Sequence, residues 1–82
     1  MNLAQCPVDA HARVVSLDAE QSMRLRMSEL GLRVGAVVRV TQRAAFGGRV
    51  VAIGAQRFAV DGQTATRIAI EPVRAAHQGP RL

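Results

Sequence analysis

Apolar and polar residues alternate over five short stretches of this chain, the pattern of β-strands that bury one face. The stretches are 12–17, 36–43, 50–53, 57–60 and 67–71. Turn dipeptides separate the later ones: Gly47-Gly48 predicts a tight hairpin turn with positive φ angles, and Asp61-Gly62 predicts another turn. Residues 63–66 predict a single 3₁₀ turn, and Pro72 predicts the end of the last strand. The side chains predicted to point inward are Val38, Val40, Phe58, Val60, Ile68 and Ile70.

A helical period replaces this alternation from about residue 19 to residue 30. Met23, Met27 and Leu30 fall on one side of a helix, which predicts a buried stripe. A methionine pair at this spacing also resembles a soft-metal site, but core packing explains it better. Leu25 lies on the opposite side and is predicted to be exposed.

Three residues predict how this helix begins and ends. Asp18 has a carboxylate that can accept from free backbone N–H groups, which predicts an N-cap. Gly31 occupies the position where a helix favours a left-handed residue, so we predict a positive φ there. Gly35 then permits a tight turn into the second strand.

Five closely spaced strands with one early helix predict a mainly β fold, a small, partly open barrel with the helix over one opening. We expect residues 1–11 to form a flexible N-terminal segment, residues 12–72 to form the barrel domain and residues 73–82 to form a disordered tail. With 82 residues the chain makes one domain.

Composition narrows the classes of function. The formal net charge is +5 and every basic residue is arginine. Basic charge attracts anionic partners, so a small nucleic-acid-binding barrel is one alternative. However, the arginines are dispersed and Phe46 and Phe58 are the only aromatic residues, which argues against a stacking surface for single strands. The N-terminus lacks the regions of a signal peptide and no apolar run is long enough to span a bilayer, so we expect a cytoplasmic protein.

Few residues are candidates for catalytic or metal chemistry. Cys6, Asp9 and His11 lie close in sequence and are three possible metal ligands, but a reduced thiol in an unstructured segment is the simpler interpretation. His11 and His77 are the two histidines, both near an end of the chain, and no nucleophile–base pair is evident. We therefore expect neither an enzyme nor a bound cofactor or metal.

The segment from the helix into the second strand carries a family motif. The pattern Leu-x-x-(Leu/Met)-Gly-(Leu/Ile/Met)-x-x-Gly, followed by alternating small apolar residues, is met by Met27, Leu30, Gly31, Leu32, Gly35, Val38 and Val40. Further matches follow at Gly47, Phe58–Val60, Ala65, Ile68 and Ile70. The chain departs from the pattern at Val34 and at 47–49, where the family often has proline. Over residues 12–72 it resembles the FeoA family of ferrous-iron-transport accessory proteins, whose domain is an SH3-like barrel.

This resemblance implies a cytoplasmic accessory or regulatory protein of bacterial ferrous iron transport. It implies protein–protein contact with the G-protein domain of a FeoB-type membrane transporter. Whether the accessory raises nucleotide turnover, gates the channel or controls assembly stays open, as does its oligomeric state.

Contact surfaces favour exposed apolar residues beside arginine, and two places in the sequence combine them. One is the outer face of the helix and the other is the outer face of the second strand. The predicted contact residues are Arg24, Leu25, Arg26, Val37, Arg39 and Arg43. The simpler alternative is a solvated basic face.

Overall fold

The structure is a computed structural model that describes residues 1–73, and its main element is one five-stranded antiparallel sheet. The strands are β1 (His11–Leu17), β2 (Val37–Arg43), β3 (Arg49–Ile53), β4 (Gln56–Val60) and β5 (Ile68–Val73). Their order in the sheet is β4-β3-β2-β1-β5, so β4 and β5 form its edges. The predicted mainly β, partly open architecture is confirmed.

β5 continues beyond the point at which the sequence predicted its end. Pro72 lies opposite Ala12 of β1, and pairing extends to Val73 opposite His11. An edge strand accepts proline because one side of it needs no N–H donor. Residue 73, the first residue of the predicted tail, is therefore the last residue of β5. Residues 74–82 lie outside the described part of the chain.

α1 spans Gln21–Glu29, and two backbone hydrogen bonds close its C-terminus around Gly31. Gly31 has φ 95°, as predicted, and its N–H donates to Ser28 O at 2.9 Å. The N–H of Leu32 donates to Met27 O at 2.9 Å. These bonds form a Schellman motif, in which the left-handed residue lets two otherwise free carbonyls find donors.

Two predictions about α1 are wrong. The N-cap is Glu20 and not Asp18, and no side chain caps the helix, since Glu20 instead accepts a hydrogen bond from Ser22 Oγ at 3.1 Å. Of the predicted buried stripe only Met27 lies in the core, whereas Met23 and Leu30 remain 37% and 38% exposed. The helix covers the barrel with one residue, and the other two border an open groove.

The connection between β2 and β3 is a 3₁₀ turn over Ala45–Gly47 and not the predicted glycine hairpin. Positive φ angles occur at Phe46 (56°) and Gly47 (81°), whereas Gly48 is extended. After β4, an α-helix, α2 (Gly62–Thr66), replaces the predicted 3₁₀ turn. Its N-cap Asp61 accepts from Thr64 N at 2.7 Å, which stabilises the short helix.

The N-terminal segment differs from its predicted flexibility, because residues 1–10 pack onto the barrel. Leu3 begins a 3₁₀ turn and is fully buried, and Cys6 is 3% exposed. Ile70 N donates to Met1 O at 2.8 Å, and Asp9 N donates to Val40 O. The segment closes an opening over the core that the five strands leave uncovered.

A buried arginine holds this segment. Arg49 is 9% exposed, and its guanidinium donates to four backbone carbonyls. Nη1 reaches Gly48 O at 2.9 Å and Gly47 O at 3.2 Å, Nε reaches Cys6 O at 3.4 Å, and Nη2 donates to Ala4 O. Arg49 therefore joins the β2–β3 tip to the N-terminal segment.

The core is aliphatic. It consists of Leu3, Cys6, Ala12, Val14, Met27, Leu32, Val38, Val40, Val51, Val60, Ala65, Ile68 and Ile70. The inward positions predicted in β2 and β5 are among them, and Phe58 packs against them partly buried. Within residues 1–73, neither helix is long and apolar enough to cross a bilayer.

Candidate partner-contact surface

A groove on the outer side of α1 contains part of the predicted contact surface. It has a volume of about 350 Å³ and lies between α1, the end of β1 and the loop before β2. Leu25 and Val34 are its exposed apolar residues, at 60% and 62% exposure, and Leu17 is partly buried. Arg24 and Arg33 also line it. We call these five residues the outer groove.

Arg26 lies on another side of α1. It lines a second groove of about 170 Å³ between α1 and β4, together with Met23, Met27 and Phe58. Successive residues of a helix are 100° apart, so Arg24 and Arg26 flank Leu25 in sequence but diverge in space. The structure therefore does not bring the predicted helix residues together as one patch.

The outer face of β2 holds Val37 and Arg39 of the predicted strand surface. Val37 is 42% exposed and lies opposite Arg13 of β1. Arg39 is partly buried, and its Nη1 is 3.4 Å from Asp9 Oδ1 in an ion pair. This ion pair engages the Arg39 guanidinium, which the sequence analysis predicted to be available to a partner.

Arg43 belongs to the opposite face of the sheet. The pairing of β2 with β3 slips between Val40 and Gln42, which leaves Thr41 as the extra residue of a β-bulge. Arg43 then lies opposite Arg49, whose side chain is in the interior. Directly paired residues of neighbouring strands share a face of the sheet. A slip of one residue moves the following side chains to the other face, so the strict alternation assumed from the sequence assigns Arg43 to the wrong face.

Arg24 and Leu25 are thus the two predicted contact residues that share a groove. Reasoning from the sequence missed the partners that complete it, Leu17, Arg33 and Val34. No local signal separates Val34 from Leu32, which also lies between an arginine and a glycine with positive φ but is fully buried.

Ion pairs also reduce the free positive charge of the sheet. Arg13 Nη1 of β1 is 3.1 Å from Glu71 Oε2 of β5. The second ion pair, Arg39–Asp9, involves β2, the strand on the other side of β1. Phe46 is exposed on the β2–β3 tip, whereas Phe58 is partly buried in the second groove. These positions do not favour the nucleic-acid alternative, since single-strand binding needs a basic track with stacked aromatic rings.

The three possible metal ligands near the N-terminus do not converge. Cys6 is buried, and burial raises the pKa of its thiol, with the charge of Arg49 offsetting part of the rise. Asp9 is exposed and its carboxylate pairs with Arg39, whereas His11 lies in β1 between Arg39 of β2 and Val73 of β5. In the part of the chain that the structure describes, no three His, Cys, Asp or Glu side chains are arranged to hold a metal ion.

A third cavity, with a volume of about 380 Å³, lies between the start of α1 and α2 and has several charged residues in its lining. Asp18, Glu20 and Asp61 contribute carboxylates to its lining, and Arg67 contributes the opposite charge. Hydrogen bonds from Thr64 lower the pKa of Asp61, so its carboxylate serves the helix cap. The cavity lining contains neither the imidazole nor the thiol that a nucleophilic mechanism would use.

A family model for the FeoA domain matches residues 1–72 of this chain. The chain belongs to the FeoA family. The match includes the N-terminal segment, in agreement with the packing of residues 1–10. No curated protein matches the sequence significantly.

Solved FeoA structures have the same fold. The FeoA protein from Chlorobium tepidum superposes with a TM-score of 0.82 at 26% identity, over 94% of this chain and 74% of that chain. The zinc complex of FeoA from Stenotrophomonas maltophilia has a TM-score of 0.70 at 30% identity, over 87% and 89%. That protein is described as a prokaryotic SH3 domain protein and a candidate activating factor for ferrous iron transport.

A domain with the same fold is also part of a larger regulator. The manganese regulator SloR superposes with a TM-score of 0.73 at 18% identity, over 88% of this chain but 34% of that protein. At this identity the likeness concerns the fold alone.

Proposed function

We propose that this FeoA-family protein is a cytoplasmic accessory of bacterial ferrous iron transport that acts by binding the G-protein domain of a FeoB-type transporter. Membership of the family supports the role in ferrous iron transport. The observation that carries the contact mechanism is the outer groove, where Leu25 and Val34 are both more than half exposed between Arg24 and Arg33.

The composition of the outer groove suits a protein partner. Two exposed branched apolar side chains supply area that a partner can desolvate, and arginine is enriched at such interfaces. Arg24 and Arg33 stay outside the two ion pairs of residues 1–73, so both guanidinium groups are available for carboxylates of a partner. The core of the fold does not include Leu25 or Val34, so both side chains are available for contact with a partner.

The proposed role is regulatory and non-catalytic. The carboxylate of Asp61 caps α2 by accepting from Thr64 N. The thiol of Cys6 is buried with a raised pKa, which lowers the thiolate fraction needed for reactivity. A protein of this kind changes its partner through a surface. We expect it to act without a cofactor of its own.

Leu25→Glu tests the proposal. The substitution places a charge in the outer groove without opening a cavity in the core, so the free energy of unfolding should change by no more than about 0.5 kcal/mol. Capture of the purified cytoplasmic domain of the transporter should weaken at least about tenfold, since burial of a leucine contributes about 1.5–3 kcal/mol. Val34→Glu should have the same effect.

Val8→Glu is the matched control, because Val8 is 40% exposed and lies outside the groove, in the N-terminal segment. It should bind like the unmodified protein. Normal capture by well-folded Leu25→Glu and Val34→Glu proteins would exclude the outer groove as the contact surface. Binding of single-stranded DNA at physiological salt would instead support the nucleic-acid alternative.

A further inference from the structure

Phe46 is an aromatic side chain that the fold does not use. It is 100% exposed at the β2–β3 tip, and it is one of only two aromatic residues in the sequence. Its backbone has φ 56° and ψ 41°, the left-handed region that disfavours any residue with a Cβ. A side chain that is both strained and solvated adds nothing to folding stability, so its position calls for a ligand or a partner.

The tip that carries Phe46 is rigidly held. Arg49 donates to the carbonyls of Gly47 and Gly48, which follow Phe46 directly. On its other side the tip packs against Gly62 at the start of α2, where any Cβ would overlap the Phe46 carbonyl oxygen. The backbone of Phe46 is therefore held in place, so binding needs to order only its side chain.

The second groove, between α1 and β4, has the size and chemistry to accept an aromatic ring. Its volume is about 170 Å³, and its apolar lining includes Met23, Met27, Leu30, Leu32 and Phe58. A cavity of about 150 Å³ lined by similar side chains binds benzene. Methionine side chains adjust readily to such a guest.

The tip and the second groove are neighbours on one side of the molecule. Val60, Asp61 and Thr64 line the groove, and the residue between them, Gly62, is the one against which the tip packs. A protrusion beside a matching depression satisfies the requirement of a two-fold interface, in which each copy gives and receives the same contact. The charges also match, since Arg43 is exposed three residues before Phe46 in the chain and Asp61 lines the groove.

We propose that a second copy of this chain occupies the second groove, with Phe46 of each copy inserted between α1 and β4 of the other. Two small reciprocal contacts make a weak, reversible dimer and not an obligate one. The contact surface is separate from Leu25 and Val34, so dimer formation is compatible with binding of a transporter at the outer groove.

Sedimentation velocity on the full chain from about 10 μM to about 1 mM, the range suited to a weak contact, measures this association. The unmodified protein should shift from monomer to dimer. Phe46→Ser and Met23→Asp should each raise the dissociation constant at least about tenfold, as truncation of an interface anchor does. Both residues are exposed, so circular dichroism should show an unchanged fold. Val15→Ser, at a 49% exposed valine of β1, is the control and should dimerise normally.

A mixture of the two variants identifies the contact. The Met23→Asp protein keeps Phe46, the Phe46→Ser protein keeps an intact groove, and the mixture should form a heterodimer through one of the two contacts. A monomer throughout the concentration range, a dimer insensitive to both variants, or growth beyond the dimer would each overturn the proposal. A monomer whose Met23 methyl signal responds to the transporter domain would give the groove another occupant.

Discussion

Replacing Arg49 by Met tests whether one buried guanidinium holds the N-terminal segment on the barrel. Arg49 donates to the carbonyls of Ala4, Cys6, Gly47 and Gly48, and the first two belong to that segment. Hydrogen bonds to a charged group contribute about 1.5–3 kcal/mol each, but burial of the unpaired guanidinium opposes much of this. We therefore expect Arg49→Met to lower the free energy of unfolding by about 2–4 kcal/mol.

Urea denaturation at neutral pH measures this loss, and Arg57→Met, at an exposed arginine of β4, is the control. The control should stay within about 0.5 kcal/mol of the unmodified protein. For a domain whose total stability is of the order of 5–10 kcal/mol, the predicted difference is large.

The thiol of Cys6 provides an independent readout of the N-terminal segment. Cys6 is the only cysteine and is 3% exposed, so a disulfide reagent should label it slowly. The charge of Arg49 lowers the pKa of this thiol, so removing the charge alone would slow labelling. Opening of the N-terminal segment would expose Cys6 and speed labelling. We expect this effect to exceed the effect of the pKa, so the thiol of the Arg49→Met protein should be labelled faster. A stability loss below about 1 kcal/mol with unchanged labelling would refute the role assigned to Arg49.

Two further predictions concern local backbone features. Gly35→Ala should cost about 1–2 kcal/mol because Gly35 has φ 93° with open space around a Cβ, whereas Gly31→Ala should cost more, since its Cβ would also lie 3.1 Å from Ile53 Cγ2. Equal losses in chemical denaturation would remove the contact as a factor. Asp61→Ala should destabilise the protein at neutral pH, because the ionised carboxylate caps α2. The hydrogen bonds lower the pKa of Asp61 below its usual 3.8, so this contribution is present above that pH and is lost as the pH falls through the lowered value. Asp61→Asn keeps an acceptor but lacks the charge, so it should lose less than Asp61→Ala at neutral pH. The stability advantage of the parent over Asp61→Asn should shrink as the pH falls through the lowered pKa of Asp61, and an advantage that acid leaves unchanged would contradict the assignment.

The features that sequence reasoning predicted correctly depend on a few neighbouring residues. Alternation located the five strands, and Val38, Val40, Ile68 and Ile70 point inward as expected. Gly31 has the positive φ that its position after the helix required. Leu25 is exposed because it lies opposite Met27 on the helix. Each of these follows from the helical or strand period, or from the steric freedom of glycine.

The features that sequence reasoning missed depend on residues far apart in the chain. The buried Arg49 reaches Ala4, 45 positions away, and its burial makes sense only once four carbonyls surround it. The N-terminal segment packs because the barrel offers an opening of the right shape. The bulge at Thr41 reversed Arg43, and a period of two has no means of showing an inserted residue.

The sequence by itself determined the strand pattern, the helix stop and, through the Met27–Val40 motif, the family. The tertiary structure decided which of the predicted contact residues share a surface, because grooves form between elements and are not a property of any one of them. Leu25 joins Val34 and Arg33 only where the helix faces the loop before β2, and Phe46 stands beside its matching groove only because the tip packs on α2. Periodicity acts within an element, whereas binding surfaces arise from packing between elements.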